Sequence, residues 1–295
     1  MEIGVFSRTY ETGDLEETYR RMKGHGIRVT QFNLSNAGLP TLPGEIREED
    51  LDRIRRITKA YGIRIDALTG TFNMIDPDVS LREMGCRQFA VQCRIARELE
   101  IPVVSLCTGS KNPKSKWMWH DDNLKDSSWD DLMRSTEEIL KYAEENRVIL
   151  GVETETSNII NTPERARKYL DMAGSPHLKI IMDGANLFRP EQVPDMKKVL
   201  EEAFDLLGAD IVLAHAKDFT ADPAAGTLEY VAPGRGMLDY GLYVRLLERS
   251  GYQGALIMHG LAEEEIPRSR DYLLLCQGQK PRSAAGPLAG GTEGY

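Results

Sequence analysis

The chain has 295 residues, with 37 Lys and Arg against 46 Asp and Glu, a formal net charge of -9, and 41% hydrophobic residues. That apolar share supports a sizeable core and excludes a disordered chain, and the acidic balance offers nucleic acid no general attraction. No apolar stretch approaches the roughly 20 residues that span a bilayer. The start, MEIGVFSRTY, has no basic segment leading into a long apolar run, so neither a membrane partner nor a secretory signal is expected. Cys86, Cys93, Cys107 and Cys276 form no CxxC pair and are too few for a disulfide scaffold, which points to a reducing, cytoplasmic location.

In chain order, short apolar and β-branched runs predict strands at residues 3–6, 27–32, 63–68, 103–107, 148–152, 178–182, 211–214 and 255–258. Helical spacing fills the gaps. Leu51, Ile54 and Ile57 repeat every three residues; Phe89, Cys93 and Ala96 share a face, as do Leu132, Ile139 and Ala143. Thr162 can cap a helix whose first residue is Pro163, and Gly251 suits the end of a helix over residues 240–250. A last helix follows Pro267 and reaches about Cys276.

Eight alternating strand–helix units predict an α/β fold, a single-domain (β/α)8 TIM barrel over residues 1–277. An open doubly wound sheet competes, but the first strand runs into Ser7-Arg8-Thr9-Tyr10 without a GxGxxG turn. Residues 278–295, rich in Gly, Ala and Pro, read as a C-terminal tail. Two connections are long. Residues 108–128 contain Trp117, Trp119 and His120, either a lid or wall of a site or a surface loop packed back on the barrel. Residues 220–237 contain Gly226, Gly234 and Gly236 and read as a loop needing permissive backbone angles.

In a barrel the site lies at the carboxyl ends of the strands. The last four strands end in Glu153, Asp183, His215 and His259. Two carboxylates and two imidazoles in register suit one divalent ion, Mn²⁺, Zn²⁺ or Co²⁺, better than an all-oxygen magnesium site. The alternative is a hydrogen-bonded network closing the barrel top. Glu155 and Lys217 share the strand parity of Glu153 and His215. Lys217 can reach a substrate oxygen or pair with a carboxylate. Asn33, Asn36, Asn73, Asn158 and Asn186 follow strand ends and suit a polyhydroxylated ligand, although asparagine is common in turns. Arg235, between Gly234 and Gly236, can contact an anionic group or serve only the surface. Trp117 and His120 join Lys217, Asn186, Arg235 and Glu155 as candidate substrate contacts. His25 and His177 precede strands and read as structural.

The stretches GVETETSN, IIMDGAN, LAHAKDF, PGRGMLDYGLYVRLLERSGYQGALIMHG and SLCTGSKNPKSKWMWHDDN resemble the xylose-isomerase-like barrel superfamily, in its sugar phosphate isomerase/epimerase branch. The resemblance covers about residues 1–277. It implies one divalent metal, commonly Mn²⁺, held by Glu, Asp, His and Glu on the last four strands. Glu153, Asp183 and His215 match the first three positions, and His259 stands where the family has its second glutamate. Asn186 stands where sugar epimerases often have histidine. In the family the two glutamates flank the substrate, one removing a proton beside the carbonyl and the other handling a proton on the opposite face. Glu153 supplies the first base here, and His259 supplies the second only if it is free of the metal.

The leading expectation is a metal-dependent isomerase or epimerase of a small sugar, keto-sugar, cyclitol or sugar phosphate, with Glu153 and His259 as catalytic residues. A lyase or dehydratase on a keto-polyol would use related chemistry. A metal-dependent hydrolase is a further alternative; its abasic-site DNA-cleaving form, which the resemblance associates with three zinc ions, would want more than the five histidines present. A non-catalytic ligand-binding barrel is the remaining alternative. The expected partner is a small polyhydroxylated substrate, and a homo-oligomer is compatible with the sequence.

Overall fold

Eight short parallel strands close on themselves in the computed structural model, which describes residues 1–279. They are β1 (Ile3–Phe6), β2 (Val29–Phe32), β3 (Arg64–Thr69), β4 (Val103–Leu106), β5 (Ile149–Glu153), β6 (Leu178–Asp183), β7 (Ile211–Ala216) and β10 (Leu256–Met258). Around the ring β1 pairs with β2 on one side and β10 on the other, and β10 pairs with β7. The helices are α1 (Leu15–Gly24), α2 (Glu48–Tyr61), α3 (Val79–Glu98), α4 (Asp126–Asn146), α5 (Pro163–Ala173), α6 (Met196–Leu207), α7 (Tyr240–Arg249) and α8 (Ile266–Cys276). The single (β/α)8 barrel is therefore present. Of the expected tail, residues 280–295 lie outside the described residues. No helix among the described residues is long and apolar enough to cross a membrane.

Local chemistry fixes the helix ends. Thr162 accepts from the Arg165 N–H at 3.3 Å, Pro163 opens α5, and Gly174 closes it in the left-handed region. Asp239 caps α7 through the Leu242 N–H at 2.8 Å. α8 begins one residue before Pro267, which occupies the first turn, where its missing N–H is harmless.

The segment over residues 220–237 differs from its reading as a loop. Most of it forms an antiparallel hairpin, β8 (Asp218–Asp222) with β9 (Thr227–Val231), outside the barrel sheet. Glycine and proline dominate the sequence signal there, and the alternation within TLEYV is too short to outweigh them. The Asp218 carboxylate, buried, gathers the backbone on both sides of the hairpin. Oδ1 accepts from the Phe219 and Leu238 N–H groups, and Oδ2 from those of Gly234 and Gly236, all at 2.9–3.0 Å. A Cβ at Gly236 would stand 2.3 Å from both Asp218 Oδ1 and the Phe219 carbonyl oxygen, so only glycine fits.

The core has two shells. Most buried apolar residues lie between strands and helices, while Val29, Ala67, Val103, Ile181, Leu213, Ala255 and Ile257 form a cluster inside the barrel. Each fully buried large aliphatic side chain contributes about 1.5–3 kcal/mol. Side chains alternate along a strand, so the residue two positions after an interior one also points inward, one layer nearer the mouth. That rule carries Val29 to Gln31, Ala67 to Thr69, Val103 to Ser105, Ile181 to Asp183, Leu213 to His215 and Ile257 to His259. The layer below is apolar and the layer above it polar.

Candidate active site

Strand register brings the polar layer together. Opposite β6, residue Val212 is passed over, so Ile181 faces Leu213 and Asp183 faces His215. His215 also has Ile257 as its β10 partner, two residues before His259. On β5, Gly151 keeps the wall thin: a Cβ there would lie 2.6 Å from Ile181 Cγ1. The Tyr243 hydroxyl from α7 lies 2.8 Å from the Met182 carbonyl oxygen and 3.1 Å from that of His215, pinning the ends of β6 and β7 together.

Glu153, Asp183, His215 and His259 each offer a ligand atom, and these atoms all lie within 4.8 Å of one another. Among the described residues no other group of this kind is found. Asp183 is fully buried; its Oδ1 accepts from the Ala185 N–H at 2.9 Å and its Oδ2 from His259 Nε2 at 2.8 Å. Lys217 Nζ stands 3.5 Å from the same Oδ2. Burial alone would raise the Asp183 pKa, but the Lys217 charge and the His259 hydrogen bond outweigh it and hold the carboxyl well below the usual range. Burial and the neighbouring His215 push the His259 imidazole below its ordinary value, against the pull of Asp183.

The donor set fits a divalent cation on a particular atom. Gln31 turns its Nε2 toward the Thr69 and Ser105 hydroxyls at 3.5 and 3.3 Å, so Oε1 faces His215 Nε2 at 2.8 Å. Donation from His215 Nε2 to that oxygen would leave Nδ1 as a lone pair. That Nδ1 is buried without a hydrogen-bond partner and lies 3.4 Å from Glu153 Oε1. A lone pair and a carboxylate oxygen side by side, both acceptors, are what a cation would satisfy.

Above this layer stands a second polar tier. Asn186 Nδ2 donates to Glu153 Oε1 at 2.7 Å and to Glu155 Oε2 at 3.3 Å, while Asn186 Oδ1 accepts from Lys217 Nζ at 2.6 Å. Burial raises the Glu155 pKa, with the Lys217 charge opposing. Lys217 is buried; that acts to lower its pKa, but Asp183 and Glu153 raise it more, so the amine keeps its proton. The Tyr230 ring from β9 covers the ammonium, with Nζ 3.9 Å from its centroid.

The structure thus gathers Glu155, Asn186 and Lys217 around the four convergent residues. The other candidate contacts have partners of their own. Arg235 pairs with Glu265 at 2.7 Å on the rim. Trp117 is half exposed, with the Lys116 ammonium 5.3 Å from its ring centroid. His120 Nδ1 accepts from the Asp122 N–H at 3.1 Å and caps a short turn. Asn33, Asn36, Asn73 and Asn158 hold loop backbones: Asn158, for example, accepts from the Gly109 N–H and donates to the Lys116 carbonyl. His25 and His177 are structural as expected, near the Tyr10 hydroxyl at 3.1 Å and the Val148 carbonyl oxygen at 2.8 Å. Sequence reasoning missed Gln31. Its only sequence signal is a polar residue at inward parity near the end of a strand.

The family model described as "Xylose isomerase-like TIM barrel" matches residues 44–274. D-psicose 3-epimerase from Enterocloster bolteae is 31% identical over 129 residues, 43% of this chain and 38% of that enzyme, so the match spans well under half of the curated relative. Among solved structures, 3-keto-D-glucoside 4-epimerase from E. coli is similar with a TM-score of 0.69 at 18% identity, over 94% of this chain and 99% of that one. A xylose isomerase-like TIM barrel protein from Mycobacterium smegmatis, in complex with magnesium, gives a TM-score of 0.73 at 15% identity over 93% and 96%. At those identities the solved structures speak for the fold alone. On the family match and the closed barrel together, the chain belongs to the xylose isomerase-like TIM-barrel family.

Proposed function

We propose that the protein is a metal-dependent isomerase or epimerase of a small polyhydroxylated carbonyl compound, and that Glu153, Asp183, His215 and His259 hold one divalent ion, Mn²⁺ for preference. The observation that carries this is the convergence of those four side chains, with the partnerless His215 Nδ1 facing Glu153. The partial likeness to a psicose epimerase agrees with a sugar-sized substrate.

A divalent cation there supplies Lewis acidity toward the carbonyl oxygen and offsets the negative charge that gathers on it. The chain's own residues do the rest. Glu153 removes the proton from the carbon beside the carbonyl; its Oε1 is already directed by Asn186, and its second oxygen takes no hydrogen bond among the described residues. Asn186, anchored by the Lys217 ammonium, holds Glu153 and Glu155 in place beside the substrate. Tyr230 closes one flank against water. His259, tied to Asp183, leaves no carboxylate on the opposite face. Glu155, bridged to Glu153 through Asn186, is a second carboxyl for a returning proton. That arrangement favours moving a proton along one face over inversion through both faces. Trp117 and His120 belong to this reading only as a wall that substrate binding would draw in, and Arg235 as a rim contact.

The test is solvent deuterium incorporation into a panel of keto-sugars and cyclitol ketones. Wild type loaded with Mn²⁺ exchanges the proton beside the carbonyl, and Glu153→Gln loses nearly all of it. Full exchange in Glu153→Gln would overturn the base assignment.

A further inference from the structure

The barrel mouth has an opening beside the four convergent residues, lined by none of them. A cleft of about 740 Å³ opens between the loop after β1, the β8–β9 hairpin and the loop after β10. Ligand sites commonly span about 300–1,000 Å³. Phe6 and Tyr230 give it aromatic surface, Leu261 an aliphatic one, and the paired Arg235 and Glu265 a polar edge.

Three contacts join this cleft to the site. Phe6 packs against the cluster inside the barrel, at the mouth end of β1. Tyr230 covers Lys217, whose ammonium reaches Asp183 and Asn186. Gly260, directly after His259, also lines the cleft, and a Cβ there would press within 3.2 Å of Lys217 Cδ.

We propose that the cleft is a subsite for a second ring, so that the substrate is a glycoside with a ketone in its reacting ring: that ring sits at Glu153 and the attached sugar or aryl group lies against Phe6 and Tyr230. This rests on the proposed reading of the site as one for polyhydroxylated carbonyl compounds. The aromatic and aliphatic walls supply stacking surface for a ring. Aromatic faces suit the C–H face of a pyranose or another aromatic ring. The Arg235 guanidinium already faces the Glu265 carboxylate, so the pair offers donors and acceptors to hydroxyls while the carboxylate repels an anion. Arg8, exposed on the rim, adds a planar stacking surface.

The test uses the full chain loaded with Mn²⁺ and the free sugars, phenyl glycosides and 6-phosphates of D-glucose, D-galactose and D-mannose. Calorimetry measures affinity, and Mn²⁺-enhanced relaxation of the sugar protons shows whether the glycone lies at the metal. In at least one series the phenyl glycoside should bind about ten-fold tighter than the free sugar, the ratio of a modest stacking contact. Thr220→Trp and Thr9→Trp, which fill the cleft from its rim, should each abolish that advantage and leave the free sugar's affinity unchanged. Equal affinity for free sugar and glycoside in every series would overturn the subsite, as would tighter binding of the 6-phosphate or equal weakening of all ligands by both Trp variants. Relaxation of free-sugar protons without any glycoside advantage would refute the subsite alone. Absence of relaxation for every sugar would refute the underlying reading and the subsite with it.

Discussion

His215 Nε2 lies 2.8 Å from Gln31 Oε1, and the same ring turns its Nδ1 toward Glu153 Oε1 at 3.4 Å. Gln31 belongs to β2, across the barrel mouth from β7, a strand that supplies none of the four convergent residues. Partners that orient a ligating histidine change metal affinity by about 10- to 100-fold when removed. Gln31→Leu is expected to weaken Mn²⁺ binding by that order in chelator competition, while Gln31→Glu retains tight binding. Unchanged affinity in Gln31→Leu would show that His215 does not need the orienting bond.

Lys217 and Asp183 form a buried ion pair in which each partner compensates the other. Removing one partner of such a pair typically costs about 3–5 kcal/mol. Lys217→Met should lower the stability of the metal-free protein by about 3 kcal/mol, with His259 still bonded to Asp183 limiting the loss. Denaturant unfolding measures it. A loss below about 1 kcal/mol would place Lys217 among ordinary surface pairs.

Acid should destabilise the metal-free protein in two stages. The folded His259 and Asp183 both have lowered pKa values. Each therefore binds fewer protons folded than unfolded, and stability rises with pH across its window. The His259 contribution is complete above the unfolded value of about 6.5 and fades below it, and the Asp183 contribution fades below about 3.9. Unfolding free energies from pH 8 to pH 3 should fall in that order, with Asp183→Asn removing the lower stage. A curve that rises on acidification would have the wrong sign.

Asp218→Asn should release the loop that the carboxylate gathers. The amide replaces one acceptor oxygen with a donor, so two of the four N–H groups lose their partner. Hydrogen bonds to charged groups contribute about 1.5–3 kcal/mol each, which puts the loss at about 3 kcal/mol. Amide exchange at residues 234–238 should accelerate with it. Protection unchanged from wild type would mean that the loop is held by other contacts.

The barrel was legible because eight runs were apolar and β-branched and their ends fell at polar residues. The four convergent residues were legible for the same reason: period-two alternation puts Asp183, His215 and His259 one layer above Ile181, Leu213 and Ile257. Strand ends were less so, as β2 begins at Val29 and β7 continues to Ala216. The asparagines were ambiguous because the same amide that binds a hydroxyl also holds a turn, and only the fold shows that Asn186 alone of the five reaches Glu153. Gln31 and Asp218 act through partners far along the chain, and no local pattern announces such pairings.

On the proposed function, proton exchange beside a carbonyl requires one divalent ion held by Glu153, Asp183, His215 and His259. This requirement is tested by stripping the protein with chelator and titrating Mn²⁺ while following deuterium incorporation into D-psicose. The exchange rate should be negligible at the start, rise linearly and saturate at about one ion per chain, a single four-ligand site. Asp183→Ala should stay at the starting rate throughout. Exchange by stripped wild type at the saturated rate would contradict the claim outright.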